Sequence, residues 1–287
     1  MSRKLIIVLG PTASGKTDYS IRLAQSLGSP VISCDSRQIY REMSIGTAVP
    51  SRGQLAAVQH YFIQTKSITE YYTAGTYEVE ALALIEKLFG EGHETLVMCG
   101  GSMFYIDAVC NSLSHVPTAD LEVRAQLQKR LEAEGIESLR ETLRTLDPEA
   151  YSTMDLSNTQ RVFRAVEICL TTGMPYTSFK ASNVTRDFEI EKVGITRPRE
   201  ELYARIDRRV DAMLSAGLVD EVRSLQRYRD LTALKTVGYR EIFSYLDGDI
   251  PLEKAADDIR LNTRHYAKRQ LSWWRRDPSI RWITPED

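Results

Sequence analysis

Gly10, Pro11, Thr12, Ala13, Ser14, Gly15, Lys16 and Thr17 form a run in which glycines bracket a tight turn and a lysine and a hydroxyl close it. Glycines let the backbone curl so that successive N–H groups point inward and cradle phosphate oxygens. Lys16 supplies a full positive charge for the terminal phosphate, and the Thr17 hydroxyl suits Mg²⁺. An apolar run over 4–9 precedes the turn and a helical pattern over 18–24 follows it. The positive end of a helix dipole is therefore aimed at the same place. This strand–turn–helix setting separates a phosphate loop from an ordinary glycine-rich turn, and it marks the chain as a binder of a polyphosphate.

Five further constellations could do chemistry. Asp35, Ser36, Arg37 and Gln38 follow a second strand pattern, where a carboxylate can accept a proton or hold Mg²⁺, or cap a helix. Gly100, Gly101 and Ser102 follow a third, where a nucleotide hydrolase of this type usually carries an acid; two glycines and a hydroxyl suit a second substrate better, or a plain turn. Arg205 and Arg209 stand one helical turn apart and could clamp a diphosphate, or pair with Glu201 or Asp207. Arg260, Arg264 and Lys268 recur every fourth residue with Tyr266, Trp273 and Trp282 nearby, which reads as a phosphate-backbone face or as a solvated basic helix. Arg161 and Arg164 share one face of a helix whose opposite face carries Phe163 and Val166.

The elements that must hold these residues alternate. Strand patterns at 5–9, 30–34, 95–99 and 189–195 are separated by helical ones, such as that over 76–89. The alternation predicts an α/β fold: a P-loop NTPase-like parallel sheet flanked by helices, with ligands at the carboxyl ends of its strands. Between about 117 and 180 the strand signal disappears and helical periodicity takes over at 124–133, 136–146 and 159–171. The expected organisation is a first part of the core at 1–115, a helical insertion domain at 116–185, and a return to the core with a basic helical C-terminal region at 186–287.

Bulk composition excludes more than it selects. The 287 residues are 43% hydrophobic and 26% charged, with a formal net charge of −2, so total charge decides nothing about nucleic acid. No apolar run approaches the roughly 20 residues a membrane span needs. Four scattered cysteines without C-x-x-C spacing, and four histidines out of register with them, argue against a zinc site or a disulfide framework and for a cytoplasmic home.

Taken in order from residue 5 to about 276, these motifs resemble those of bacterial tRNA dimethylallyltransferases. The resemblance is carried by the 10–17 loop, Asp35-Ser36 with Gln38-Ile39-Tyr40, Gly46-Thr47-Ala48, Gly100-Gly101-Ser102, and Gln160-Arg161 with Arg164-Ala165. It continues through Arg205-Ile206, Arg209, Glu221-Val222, Val237-Gly238-Tyr239-Arg240, and a last block from Thr263-Arg264 to Trp274. The family usually has threonine where Ser102 stands, and the zinc finger of its eukaryotic members is missing here.

The resemblance implies transfer of a dimethylallyl group from dimethylallyl diphosphate to N6 of the adenosine 3′ of the anticodon, in tRNAs reading U-starting codons. It makes Asp35, Ser102, Lys16 and Arg205 catalytic, and residues 10–17 with Arg205 and Arg209 the diphosphate site. It implies Mg²⁺ at Thr17, and a single chain acting as a monomer on the anticodon stem-loop. Contacts to tRNA fall on Asp35, Ser36, Arg37, Gln38, Ser102, Arg124, Gln160, Arg161, Val162, Phe163 and Arg164. Lys235, Gly238, Tyr239, Arg240, Arg264 and Lys268 complete that set. The rival readings are a prenyltransferase of free AMP or ATP, a P-loop kinase of small molecules or nucleotides, and a non-enzymatic tRNA-binding protein.

Overall fold

The computed structural model describes residues 3–112, 120–179 and 184–285. The first elements are β1 (Lys4–Leu9), α1 (Lys16–Leu27), β2 (Val31–Ser33), α2 (Arg52–Ala57), β3 (His60–Tyr61), α3 (Ala74–Gly90), β4 (Thr95–Cys99) and α4 (Met103–Asn111). A helical stretch follows: α5 (Leu121–Glu134), α6 (Ile136–Leu146), α7 (Pro148–Thr153), α8 (Thr159–Thr172) and a 3₁₀ turn at Tyr176–Phe179. The chain then forms β5 (Glu189–Ile195), α9 (Arg199–Ser215), α10 (Leu218–Ser224), α11 (Tyr239–Leu246), α12 (Leu252–Trp274) and β6 (Arg281–Ile283).

The six strands make one sheet in the order β3-β2-β4-β1-β5-β6, and every pairing is parallel. β1 lies between β4 and β5, which is why Leu5, Ile7, Val8 and Leu9 are fully buried: a parallel strand covered on both faces reads as a continuous apolar run. β5 begins charged and ends apolar. Lys4 of β1 pairs with Glu189 and Glu191 there, while Val193 and Ile195 are buried at its carboxyl end. The expected strands at 95–99 and 189–195 are present, and that at 30–34 shortens to Val31–Ser33. β3 and β6 escaped sequence reading because two and three residues carry no periodicity. β6 is fixed by packing instead, since a Cβ on Gly194 would lie 2.5 Å from the Trp282 ring.

Two compact units emerge. One comprises 1–73, 80–106 and 186–287, and the other 74–79 and 107–185. The expected boundary at 115/116 lies outside the described residues. The second unit has its own apolar core of Leu127, Leu139, Leu143, Ala150, Val162, Phe163 and Val166. Asp147 caps α7 by accepting from the Ala150 N–H at 2.9 Å and takes the Thr177 N–H on its other oxygen at 2.8 Å. No helix among the described residues is long and apolar enough to cross a membrane.

Candidate functional site

Four connections leave the carboxyl ends of parallel strands, and all four build one cleft of about 600 Å³. The first is the 10–15 loop after β1. Gly10 has φ +147° and faces the Ile195 carbonyl, where a Cβ would lie 2.3 Å from the oxygen, so only glycine fits. α1 begins at Lys16 with no side-chain cap from Gly15, which leaves the first-turn N–H groups directed at the cleft. The Lys16 ammonium donates to the Pro11 carbonyl at 2.6 Å. Burial pushes it down to about 8, with the Arg209 charge acting the same way and the neighbouring Cys99 and Asp35 opposing. The Ser14 hydroxyl is fully buried and, among the described residues, has no hydrogen-bond partner.

Three arginines hold this loop from outside. Arg197 Nε donates to the Ser14 carbonyl at 2.9 Å, Arg205 Nε to the Ala13 carbonyl at 2.9 Å, and Arg209 Nη1 to the Thr12 hydroxyl at 3.1 Å. Arg205 and Arg209 are a turn apart on α9, so one helix face serves consecutive loop residues. Burial pulls the Arg209 guanidinium below its usual value, while Asp35 supports its charge. Arg197, which also pairs with Glu201, was missed at the sequence level. The signal was available: it stands two residues past β5, where the other strands had already placed motifs.

After β2 the chain makes a tight turn capped by Asp35, whose Oδ1 accepts the Arg37 and Gln38 N–H groups at 2.8 and 3.2 Å. The carboxylate lines the cleft, so the capping role and a chemical role coexist. The Ser102 hydroxyl accepts the Ser36 N–H at 2.7 Å and donates to the Ser36 hydroxyl at 2.9 Å. Ser102 therefore fixes the turn that carries Asp35 rather than reaching into the cleft itself. Gln38 passes its amide to the Thr47 and Ala48 carbonyls at 3.1 and 2.9 Å, which seats another cleft wall. The backbone just before that wall is gathered by Glu221, whose oxygens accept the Ser44, Ile45 and Gly46 N–H groups at 3.0, 2.7 and 3.0 Å and the Tyr239 hydroxyl at 2.6 Å.

The turn after β4 meets α12. Gln270, 1% exposed, accepts the Thr12 N–H at 2.9 Å and donates to the Gly101 carbonyl at 2.8 Å. A Cβ on Gly101 would sit 2.5 Å from that amide nitrogen. One side chain thus ties the phosphate loop to the Gly100–Gly101 turn, its amide oxygen accepting and its amide nitrogen donating. Tyr266 also reaches the Gly101 carbonyl, at 3.3 Å, and burial raises its hydroxyl pKa.

The cleft brings together Thr12, Ala13, Gly15, Lys16, Thr17, Asp35, Gln38, Arg205 and Arg209, with Gly10, Pro11 and Ser14 completing the loop. The other expected RNA contacts separate into several groups. Val162 and Phe163 are core residues of the helical unit, and the Tyr239 ring is fully buried against Gly46, so these side chains offer no surface to a partner. Gly238 is buried as well, its N–H held by Glu241 at 2.8 Å. Gln160, Arg161, Lys235 and Arg240 are exposed. Arg124 and Arg164 converge on the buried Glu167 at 3.0 and 2.6 Å. On α12, Arg264 spans both Asp207 oxygens at 2.6 and 2.7 Å, and Arg260 pairs with Asp211 and Asp257; only Lys268 of the expected basic face is exposed.

The chain is similar to known proteins over nearly its whole length. The model of the IPP transferase family matches residues 38–277. The chain is 49% identical to tRNA dimethylallyltransferase 1 of Bacteroides thetaiotaomicron over 283 residues, 98% of this chain and 92% of the relative. It is 46% identical to tRNA dimethylallyltransferase 1 of Bacteroides fragilis over 286 residues, 99% and 95% of the two chains. Among solved structures it is similar to the full-length tRNA isopentenylpyrophosphate transferase of Bacillus halodurans: 35% identity, TM-score 0.71, 98% of this chain and 90% of that one. A eukaryotic dimethylallyltransferase acting on tRNA shares the fold at TM-score 0.82 and 24% identity, over 99% of this chain and 74% of that one.

Proposed function

The chain belongs to the IPP transferase family, and on that footing we propose how its cleft divides the work of moving a dimethylallyl group onto tRNA. The donor is dimethylallyl diphosphate and the acceptor is N6 of the adenosine 3′ of the anticodon, in tRNAs reading U-starting codons. The carbon–oxygen bond of the donor breaks, the diphosphate leaves with the electron pair, a bond forms to N6, and the amine loses a proton.

One observation carries this division. The loop cradle, the arginines of α9 and the Asp35 carboxylate open onto the same cleft. Charge develops on the departing diphosphate, where the loop N–H groups, Lys16, Arg205 and Arg209 stabilise it more in the transition state than before it. Asp35 accepts the amine proton, and Ser102 acts on the reaction through Ser36, as a positioning residue. The cleft offers Mg²⁺ oxygen donors of the kind it prefers, with Thr17 as its holder; when bound it neutralises charge on the diphosphate.

Mass spectrometry of unmodified tRNA after incubation with the protein, Mg²⁺ and dimethylallyl diphosphate tests this. A dimethylallyl mass gain on one anticodon-loop adenosine is expected. A gain on AMP or ATP alone, or ATP consumption without any gain, overturns it.

A further inference from the structure

An apolar wall of the cleft lacks regular structure. Ala48, Val49 and Pro50 line the cleft in succession after Thr47, and they lie in the connection between β2 and α2. Elsewhere the lining is mostly phosphate loop, arginines, carboxylates and amides. Backbone outside helices and strands has to find its hydrogen-bond partners singly, and here side chains supply them. Glu221 Oε2 accepts the Ser44 and Ile45 N–H groups, and Oε1 accepts the Gly46 N–H and the Tyr239 hydroxyl. Gln38 holds the next two carbonyls, those of Thr47 and Ala48. On the far side Ser51 caps α2, and the Gln54 amide of that helix donates to the Asp18 carboxylate of α1 at 2.6 Å. Ala48 itself stands at φ +52°, a left-handed conformation that a non-glycine residue keeps only where its surroundings impose it.

Glu221 is not among the residues that line the cleft, so it acts there only through the backbone it holds. We infer that Glu221 is a positioning residue that sets the length of prenyl tail the cleft accepts, by fixing the Ala48–Pro50 wall on which that tail seats. The inference rests on dimethylallyl diphosphate being the donor. Its diphosphate belongs to the cradle and its tail is wholly apolar, so the tail gains by contact with the one side of the cleft that offers consecutive apolar groups. A geranyl tail, one isoprene unit longer, has to push that wall outward. The hydrogen bonds from Glu221 and Gln38 oppose the displacement, because moving the wall strands the N–H and carbonyl groups they satisfy.

The test uses the full chain with unmodified tRNA and either dimethylallyl or geranyl diphosphate. Transfer from dimethylallyl diphosphate by the unaltered protein checks the underlying reading on its own, and its absence overturns that reading before any variant is made. The unaltered protein is expected to prefer the shorter donor about a hundredfold in kcat/KM, and equal use of both overturns the inference. Glu221→Gln places an amide nitrogen against backbone N–H groups, and the preference is expected to fall about tenfold. Val49→Ala enlarges the seat directly at a half-buried position, and a fall of about tenfold is expected again. Tyr239→Phe withdraws one donor from Glu221 by a gentler change, with a fall of about threefold. Inhibition by inorganic pyrophosphate, which needs only the cradle, should stay within about twofold in all three. A preference that moves less than about twofold in any of them overturns the inference. Loss of pyrophosphate inhibition in step with activity overturns it too, because that marks a collapsed cleft.

Discussion

The arginines of the cleft and those of the helical unit end on different partners. Arg205 and Arg209 donate to a carbonyl and a hydroxyl of the phosphate loop, whereas Arg124 and Arg164 donate to the one buried carboxylate of Glu167. The Arg209 guanidinium, held by a neutral hydroxyl and supported by the Asp35 charge, lines the cleft where an anion enters. Two guanidinium groups on an ionised acid first stabilise that acid, and only the surplus positive charge is left for a partner. Counting arginines in a sequence treats these regions alike. Their chemistry differs because of what each cation already touches.

The sharpest break in this comparison is Lys16→Ala. It removes the charge at the centre of the cradle, and kcat/KM for the donor should fall about a thousandfold, the loss typical of deleting one transition-state donor. Binding of tRNA, measured by filter retention, should stay within twofold. An equal fall in tRNA affinity would mean that the loop also serves the acceptor.

Glu167→Gln probes the other region. It leaves two guanidinium groups, each 35% exposed, beside a neutral amide on α8, and because these cations still reach water the cost is about 1–3 kcal/mol. Urea denaturation should report that loss while KM for the donor stays unchanged. A donor KM that rises with it would show that the two constellations are not functionally separate.

Asp35→Asn separates two roles within the cleft. Asparagine keeps an oxygen for the Arg37 and Gln38 N–H groups, so the turn survives while the base does not. The expectation is a kcat about a hundredfold lower with the donor KM within twofold. Unchanged kcat, measured in the same assay, would leave Asp35 a turn cap only.

Most of the sheet and the cradle were legible in the sequence, and the reason is local. The 10–17 loop is contiguous, and its strand and helix flank it directly. Gln270, Arg197 and Glu221 were not read as site residues because their partners lie 258, 183 and 175–177 positions away, where no periodicity links them. The basic face of α12 was misjudged for a related reason. Spacing puts Arg260 and Arg264 on one side of a helix, but their neutralisation by Asp207 and Asp211 depends on which helix packs there. Val162, Phe163 and Tyr239 show the converse: their motifs are recognisable, while their side chains serve the core.

The smallest expected effect is the most specific to the cleft. Burial brings the Lys16 ammonium down to about 8, with Arg209 assisting and Cys99 and Asp35 opposing. Below that pH the lysine is charged in the free enzyme, and above it the cradle loses its central cation. kcat/KM for the donor should therefore be level below pH 8 and fall by up to tenfold for each further unit. A bound diphosphate favours the ammonium, so the corresponding break in kcat should lie at higher pH. Arg209→Gln removes a neighbouring positive charge and should move the kcat/KM break upward, against the general loss of activity that the same change causes. Arginines stay charged throughout this range, so Arg124 and Arg164 contribute no break of their own. A kcat/KM profile flat through pH 9 would therefore mean that Lys16 is not the group whose charge the diphosphate meets.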